Sequence, residues 1–101
     1  MTYHGIGIPS ERIAGFCQTH HVRRLALFGS ILRDDFGPDS DVDILVEFEP
    51  GHTPGLLRMA GLEIELSAIL GRKVDLRTPA ELSRYFRDEV LQTCEPQYVN
   101  G

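Results

Sequence analysis

Two aspartates, Asp41 and Asp43, stand two residues apart at the head of the apolar run Val42-Asp43-Ile44-Leu45-Val46. Such a run reads as a strand, whose side chains repeat with a period of two, so both carboxylates point the same way. Neighbouring anions repel, and a bound cation is the chemistry that makes the pair tolerable. Just upstream, Leu25-Ala26-Leu27-Phe28 ends in Gly29-Ser30. Glycine lets a backbone come close to a phosphate, and a helix opening at Ser30 would offer an anion free N–H groups and the positive end of its dipole. Arg33, three residues on, shares that helical face and either reaches the same anion or pairs with Asp34 or Asp35. Ser40 either ties its loop to the phosphates or to Asp43, or serves as a turn residue after Gly37-Pro38-Asp39. Asp75, within Lys73-Val74-Asp75-Leu76, is a third carboxylate if its strand lies beside the second, and otherwise a surface charge on an edge strand.

These residues need elements to hold them. Residues 1–9, with Gly5, Gly7 and Pro9, read as a flexible lead-in. Ser10 is a candidate cap for a helix bearing Ile13, Phe16, Cys17 and His20 on one face and ending near His20-His21. Strands are predicted over Arg23 to Phe28, Val42 to Phe48 and Lys73 to Leu76, with a short helix through Ile31, Leu32 and Arg33. Thr53-Pro54 supplies an N-cap and a first-turn proline, Leu56, Met59, Leu62, Leu66, Ile69 and Leu70 form a core stripe, and Gly71 ends that helix. Thr78-Pro79-Ala80-Glu81 reads as a capping box opening a last helix to about Leu91 or Gln92, with Leu82, Tyr85, Phe86 and Val90 on its buried face. The tail from Cys94 shows no strong period.

At 101 residues the chain has room for one core, and 42% apolar, 8% aromatic and 25% charged residues are ordinary for a globular protein, which excludes disordered and fibrous classes. No run approaches the ~20 apolar residues of a membrane span, and no apolar signal core follows the N-terminus, so the expected address is cytoplasmic. A net charge of -5 argues against stable nucleic-acid binding. Cys17 and Cys94 make no disulfide framework; Cys17-x-x-His20 lacks a second ligand pair and reads as packing rather than half a zinc site.

Gly29-Ser30, Arg33, Asp35, Ser40-Asp41, Asp43 and Val46 match G-S-x-x-R-x-[DE]-x-x-x-x-S-D-x-D-x-x-V, and the chain thereby resembles the minimal nucleotidyltransferases of the polymerase-beta-like superfamily. Asp34 stands where that pattern usually has glycine. The resemblance extends to the leading helix, the Gly71 to Leu76 segment and the closing helix. It implies an α/β (α+β) fold, a small mixed sheet flanked by helices, in a single domain over residues 1–101. It implies that Gly29, Ser30, Arg33 and Ser40 bind ATP, and that Asp41, Asp43 and Asp75 hold two Mg2+ ions, Asp75 also helping to take the proton from the attacking hydroxyl. Larger enzymes of the superfamily bind the acceptor with a further domain; here little more than a helix and a tail follow Asp75, so the acceptor is expected to bring its own surface. Short proteins of this kind resemble the MntA-type antitoxins, which adenylylate a tyrosine of a partner HEPN-domain toxin, an RNase. The alternatives are an antitoxin that neutralises its partner by binding alone, and a small-molecule nucleotidyltransferase that needs a second domain or another copy to build its acceptor pocket.

Overall fold

A computed structural model describes residues 2–100. Strands β1 (Thr2–Tyr3) and β2 (Ile6–Gly7) form a small antiparallel hairpin, followed by helix α1 (Ser10–Thr19). Strand β3 (Val22–Phe28) leads through a 3-10 turn (Gly29–Leu32) to β4 (Val42–Phe48). Helix α2 (Leu56–Leu70), β5 (Val74–Arg77), a second 3-10 turn (Pro79–Glu81), α3 (Arg87–Thr93) and β6 (Glu95–Val99) complete the chain. The main sheet has the order β5-β4-β3-β6, with β5 parallel to β4 and the other pairs antiparallel, which is the mixed sheet flanked by helices expected from the sequence.

The strands' alternation divides the sheet into two unequal faces. Leu25, Leu27, Val42, Ile44, Val46, Val74 and Leu76 pack on one face with Ile13, Phe16 and Cys17 of α1 and Leu62, Leu66 and Leu70 of α2. Burying each such aliphatic side chain stabilises the fold by about 1.5–3 kcal/mol. The other face carries only a small apolar group, Ala26, Leu45, Leu82 and Cys94, with Phe28, Val90 and Leu91 against it. Asp43 and Asp75, offset by one residue from their buried neighbours, project on this thinly covered face. The alternation that builds the core thus leaves the carboxylates accessible.

Several sequence expectations are corrected. The lead-in is the β1–β2 hairpin: His4 and Gly5 take positive φ (51° and 79°), the two-residue turn that suits hairpin twist, and Ile6 and Ile8 are buried. Ser10 is the first residue of α1, and Pro9 occupies the cap position without a side-chain bond. Gly55, not Thr53, caps α2, and Leu56, placed in its core stripe, is 85% exposed. The last helix begins at Arg87 instead of Pro79. The capping pair does form, Glu81 Oε1 accepting from the Thr78 N–H at 2.9 Å, but it closes one 3-10 turn only. Leu82 is then extended, and the Ser83 hydroxyl accepts from the Tyr85 N–H at 3.3 Å, a side-chain bond that competes with helix. Tyr85 consequently points outward at 84% exposure. The tail is β6, which completes the sheet beside β3; exposed along most of its length, it carries no alternation to betray it.

Gly71 ends α2 as expected, in the left-handed conformation (φ 70°), its N–H bonding Ser67 O at 2.9 Å. Two side chains of α2 then close the open edge of β5. The Ser67 hydroxyl accepts from the Val74 N–H at 3.0 Å, and Glu63 Oε2 from the Leu76 N–H at 2.8 Å.

Candidate active site

The carboxylates converge through sheet register. Across the parallel pair, Asp43 of β4 stands directly opposite Asp75 of β5, on strands spaced about 4.8 Å apart. Asp41 precedes β4, close enough for its charge to act on Asp43. Burial first, then the charges of Asp75 and Asp41, push the Asp43 carboxyl above its usual range; the Ser30 backbone N–H, which donates to it, and the Arg33 cation act the other way. An electronegative cleft of about 400 Å3 opens here, lined by Asp43, Asp75, Arg77 and Glu81 beside Phe28 and Phe86.

The glycine-serine turn wraps onto this cluster. Gly29 has φ +76°, and a Cβ at this residue would stand 2.3 Å from Asp43 Oδ2, so the carboxylate lies in space that only glycine leaves open. Ile31, buried, anchors the turn in the core. The expected short helix is a single 3-10 turn, and Arg33 lies just beyond it in extended conformation, so Ser30 and Arg33 do not share a helical face. Arg33 Nε pairs with Asp35 at 3.1 Å, the ion-pair alternative of the sequence reading, while its charge still reaches Asp43. The Ser40 hydroxyl accepts from the Gly37 N–H at 3.0 Å, the turn-residue alternative.

The other two aspartates lean on cations. Asp75 Oδ1 accepts from Arg77 Nε at 3.0 Å, and Asp41 Oδ2 lies 3.9 Å from Lys73 Nζ. Among the described residues no three His, Cys, Asp or Glu side chains are drawn tightly enough together to hold an ion as they stand. The donor set nevertheless suits Mg2+, a hard ion that takes carboxylate oxygen and keeps part of its water shell. Asp43, whose proton affinity its neighbouring carboxylates help to raise, is a group that a cation would relieve.

A family described as the nucleotidyltransferase domain matches residues 10–95. The chain belongs to that family. The match spans every element from α1 to the start of β6, including all seven candidate residues of this nucleotidyltransferase. It is similar to protein adenylyltransferase MntA of Thermococcus cleftensis, 44% identical over 71 residues that cover 70% of this chain and 70% of the relative. A solved structure provisionally described as a minimal nucleotidyltransferase shares 37% identity and superposes with a TM-score of 0.70, covering 86% of this chain and 87% of the other. At 20% identity, a complex of an MNT antitoxin with tri-AMPylated Shewanella oneidensis HEPN toxin shares the fold, with a TM-score of 0.65 over 90% of this chain and 70% of the other.

Sequence reasoning missed the residues that position the nucleotidyltransferase's carboxylates. Arg72 Nη2 donates to three loop carbonyls, Gly37 at 3.0 Å, Pro38 at 3.4 Å and Ser40 at 2.8 Å, and its guanidinium lies 4.9 Å from the Phe36 ring centroid. It clamps the loop that delivers Asp41. Glu63 and Ser67 fix the strand that delivers Asp75. These contacts run between distant segments, and no local pattern announces them. His20, weighed as a metal ligand, instead bonds Glu65 Oε2 at 2.7 Å and joins α1 to α2.

Proposed function

We propose that residues 1–101 act as one Mg2+-dependent adenylyltransferase domain that transfers AMP from ATP to a hydroxyl, a tyrosine of a partner HEPN-domain toxin, and so serves as a cytoplasmic antitoxin. The pairing of Asp43 with Asp75 across parallel strands, with Asp43 seated against Gly29, is the observation that carries this reading. A binding module has no need of charges held together at a cost in repulsion.

In this reading the Gly29 N–H, the Ser30 hydroxyl and the Arg33 guanidinium hold the triphosphate, with Ser40 keeping the adjoining loop in shape. Asp41, Asp43 and Asp75 hold two Mg2+ ions, which when bound neutralise the triphosphate and the charge developing on the attacking and leaving oxygens. Asp75 orients the acceptor hydroxyl and helps take its proton as the oxygen attacks the α-phosphorus. The bond from that phosphorus to the bridging oxygen breaks, and pyrophosphate departs with the electron pair. Positioning and charge complementarity carry the rate, since the protein forms no covalent bond itself. Of the relatives described above, one is named for protein adenylylation and one structure holds an AMPylated HEPN toxin, which supports the choice of donor and acceptor.

Incubating the protein with α-labelled ATP, Mg2+ and the HEPN-domain protein of its own gene neighbourhood should label the latter on tyrosine. An unlabelled partner would overturn the assignment. Protection of cells by Asp41→Ala/Asp43→Ala at wild-type level would instead establish neutralisation by binding alone.

A further inference from the structure

Phe86 is an aromatic side chain that the fold leaves half exposed. It sits immediately before α3 and is 47% exposed, whereas the apolar group beneath α3 is completed by Leu82, Val90 and Leu91 without it. It also borders two cavities at once. One is the carboxylate cleft with Asp43 and Asp75; the other is a groove of about 580 Å3 that runs past Gly29 and Arg33.

The lining of that groove is chemically mixed. Gly29 and Arg33 contribute the backbone donor and the cation suited to phosphate oxygens. The rest of the lining, from the start of α3 and from β6, offers Phe86 and Val90 with the carboxylates Glu89 and Glu95. Glu95 accepts a hydrogen bond from the Tyr3 hydroxyl, while the Glu89 carboxylate has no partner among the described residues. Carboxylates repel phosphate and accept hydrogen bonds from hydroxyls and amines, so this part of the lining suits the neutral, donor-bearing end of a nucleotide. An exposed ring beside them offers a flat face for a base.

We infer that Phe86 is the seat of the nucleobase, stacking under it while Glu89 accepts from sugar hydroxyls or an exocyclic amine, so that the nucleoside lies along the start of α3. This inference rests on the nucleotidyl-transfer reading and adds the contact that separates nucleotide from bare triphosphate. Loss of a base–aromatic stack weakens binding by about tenfold.

The test is equilibrium binding of ATP and of inorganic tripolyphosphate, each with Mg2+, to the wild type, Phe86→Leu and Phe86→Trp. Leucine keeps apolar volume against α3 and removes the aromatic face; tryptophan keeps the face. The expected result is about a tenfold loss of ATP affinity in Phe86→Leu, none in Phe86→Trp, and unchanged tripolyphosphate binding in both. Equal weakening of both ligands, or wild-type ATP affinity in Phe86→Leu, overturns the seat while leaving the transferase reading intact. A wild type that binds neither ligand overturns both.

Discussion

Asp43 rests its carboxylate on the Cα of Gly29, in the place where any other residue would carry a Cβ. Two independent penalties therefore meet at Gly29→Ala: a methyl group 2.3 Å from Oδ2, and an L residue forced to φ +76°. The exchange should cost about 1–3 kcal/mol and swing the carboxylate aside, reducing transfer on the order of a hundredfold. Thermal melting and labelled-ATP transfer, measured together, check both halves; wild-type activity in the variant would show that the contact does not matter.

Asp43→Asn should make the protein more stable and inactive at once. Burial and the charges of Asp75 and Asp41 raise the Asp43 pKa, so the folded state holds this proton more tightly than the unfolded chain does. The contribution to stability is full below the ordinary value of 3.8 and is lost as pH rises through the elevated pKa. At neutral pH the wild type bears the full repulsion, which asparagine removes. Melting in the absence of Mg2+ should show a higher midpoint for the variant at pH 7 and a smaller gap under acid conditions. Added Mg2+ should stabilise the wild type more than the variant.

Much of the fold and the polar core of the site was legible because both are written in short-range patterns. The Gly29 turn and the β4 run are local and stand where the sequence put them, whereas no helix follows the turn and Asp41 lies just ahead of the strand rather than within it. Asp75 was ambiguous for a physical reason: one carboxylate in a four-residue strand looks the same facing solvent or facing Asp43, and only the parallel register decides. Arg72, Glu63 and Ser67 were silent because their partners are backbone atoms of remote segments. The helix expected from Pro79 failed because a sound start signal meets residues that prefer other bonds.

Arg72 is a structural hub that lysine cannot replace. One guanidinium nitrogen reaches three carbonyls while the delocalised cation lies over the Phe36 ring, and a strongly hydrated ammonium offers no flat, delocalised group for that ring. Arg72→Lys should lower stability by about 1 kcal/mol and weaken Mg2+ binding by loosening the loop before Asp41. A titration of Mg2+ against a melting curve reads both; an unchanged ion affinity would mean that Asp41 does not depend on the clamp.

Cys17 should be inert in the folded protein. Burial pushes its thiol from 9.0 up to about 12, and its side chain is fully enclosed by α1 and the sheet. Ellman's reagent should leave Cys17 unmodified in the native state and react with it on unfolding. A raised pKa means that the folded state keeps the proton, so its contribution is intact below pH 9.0 and is lost as pH climbs toward about 12. Between those limits the stability of the wild type should fall more steeply with pH than that of Cys17→Ala.

Strand β5 lies at the margin of the sheet, four residues long, with β4 on one side and, among the described residues, the Ser67 and Glu63 side chains bonding its N–H groups on the other. Margins open more readily than whole domains unfold. If β5 detaches, Asp75 leaves while Gly29 and Asp43, held by β3 and β4, stay in the sheet, and the outcome is a folded protein with an incomplete set of carboxylates. The working fraction of molecules is then governed by a local fraying equilibrium, and gentle heating should silence transfer at temperatures where circular dichroism still reports a native chain.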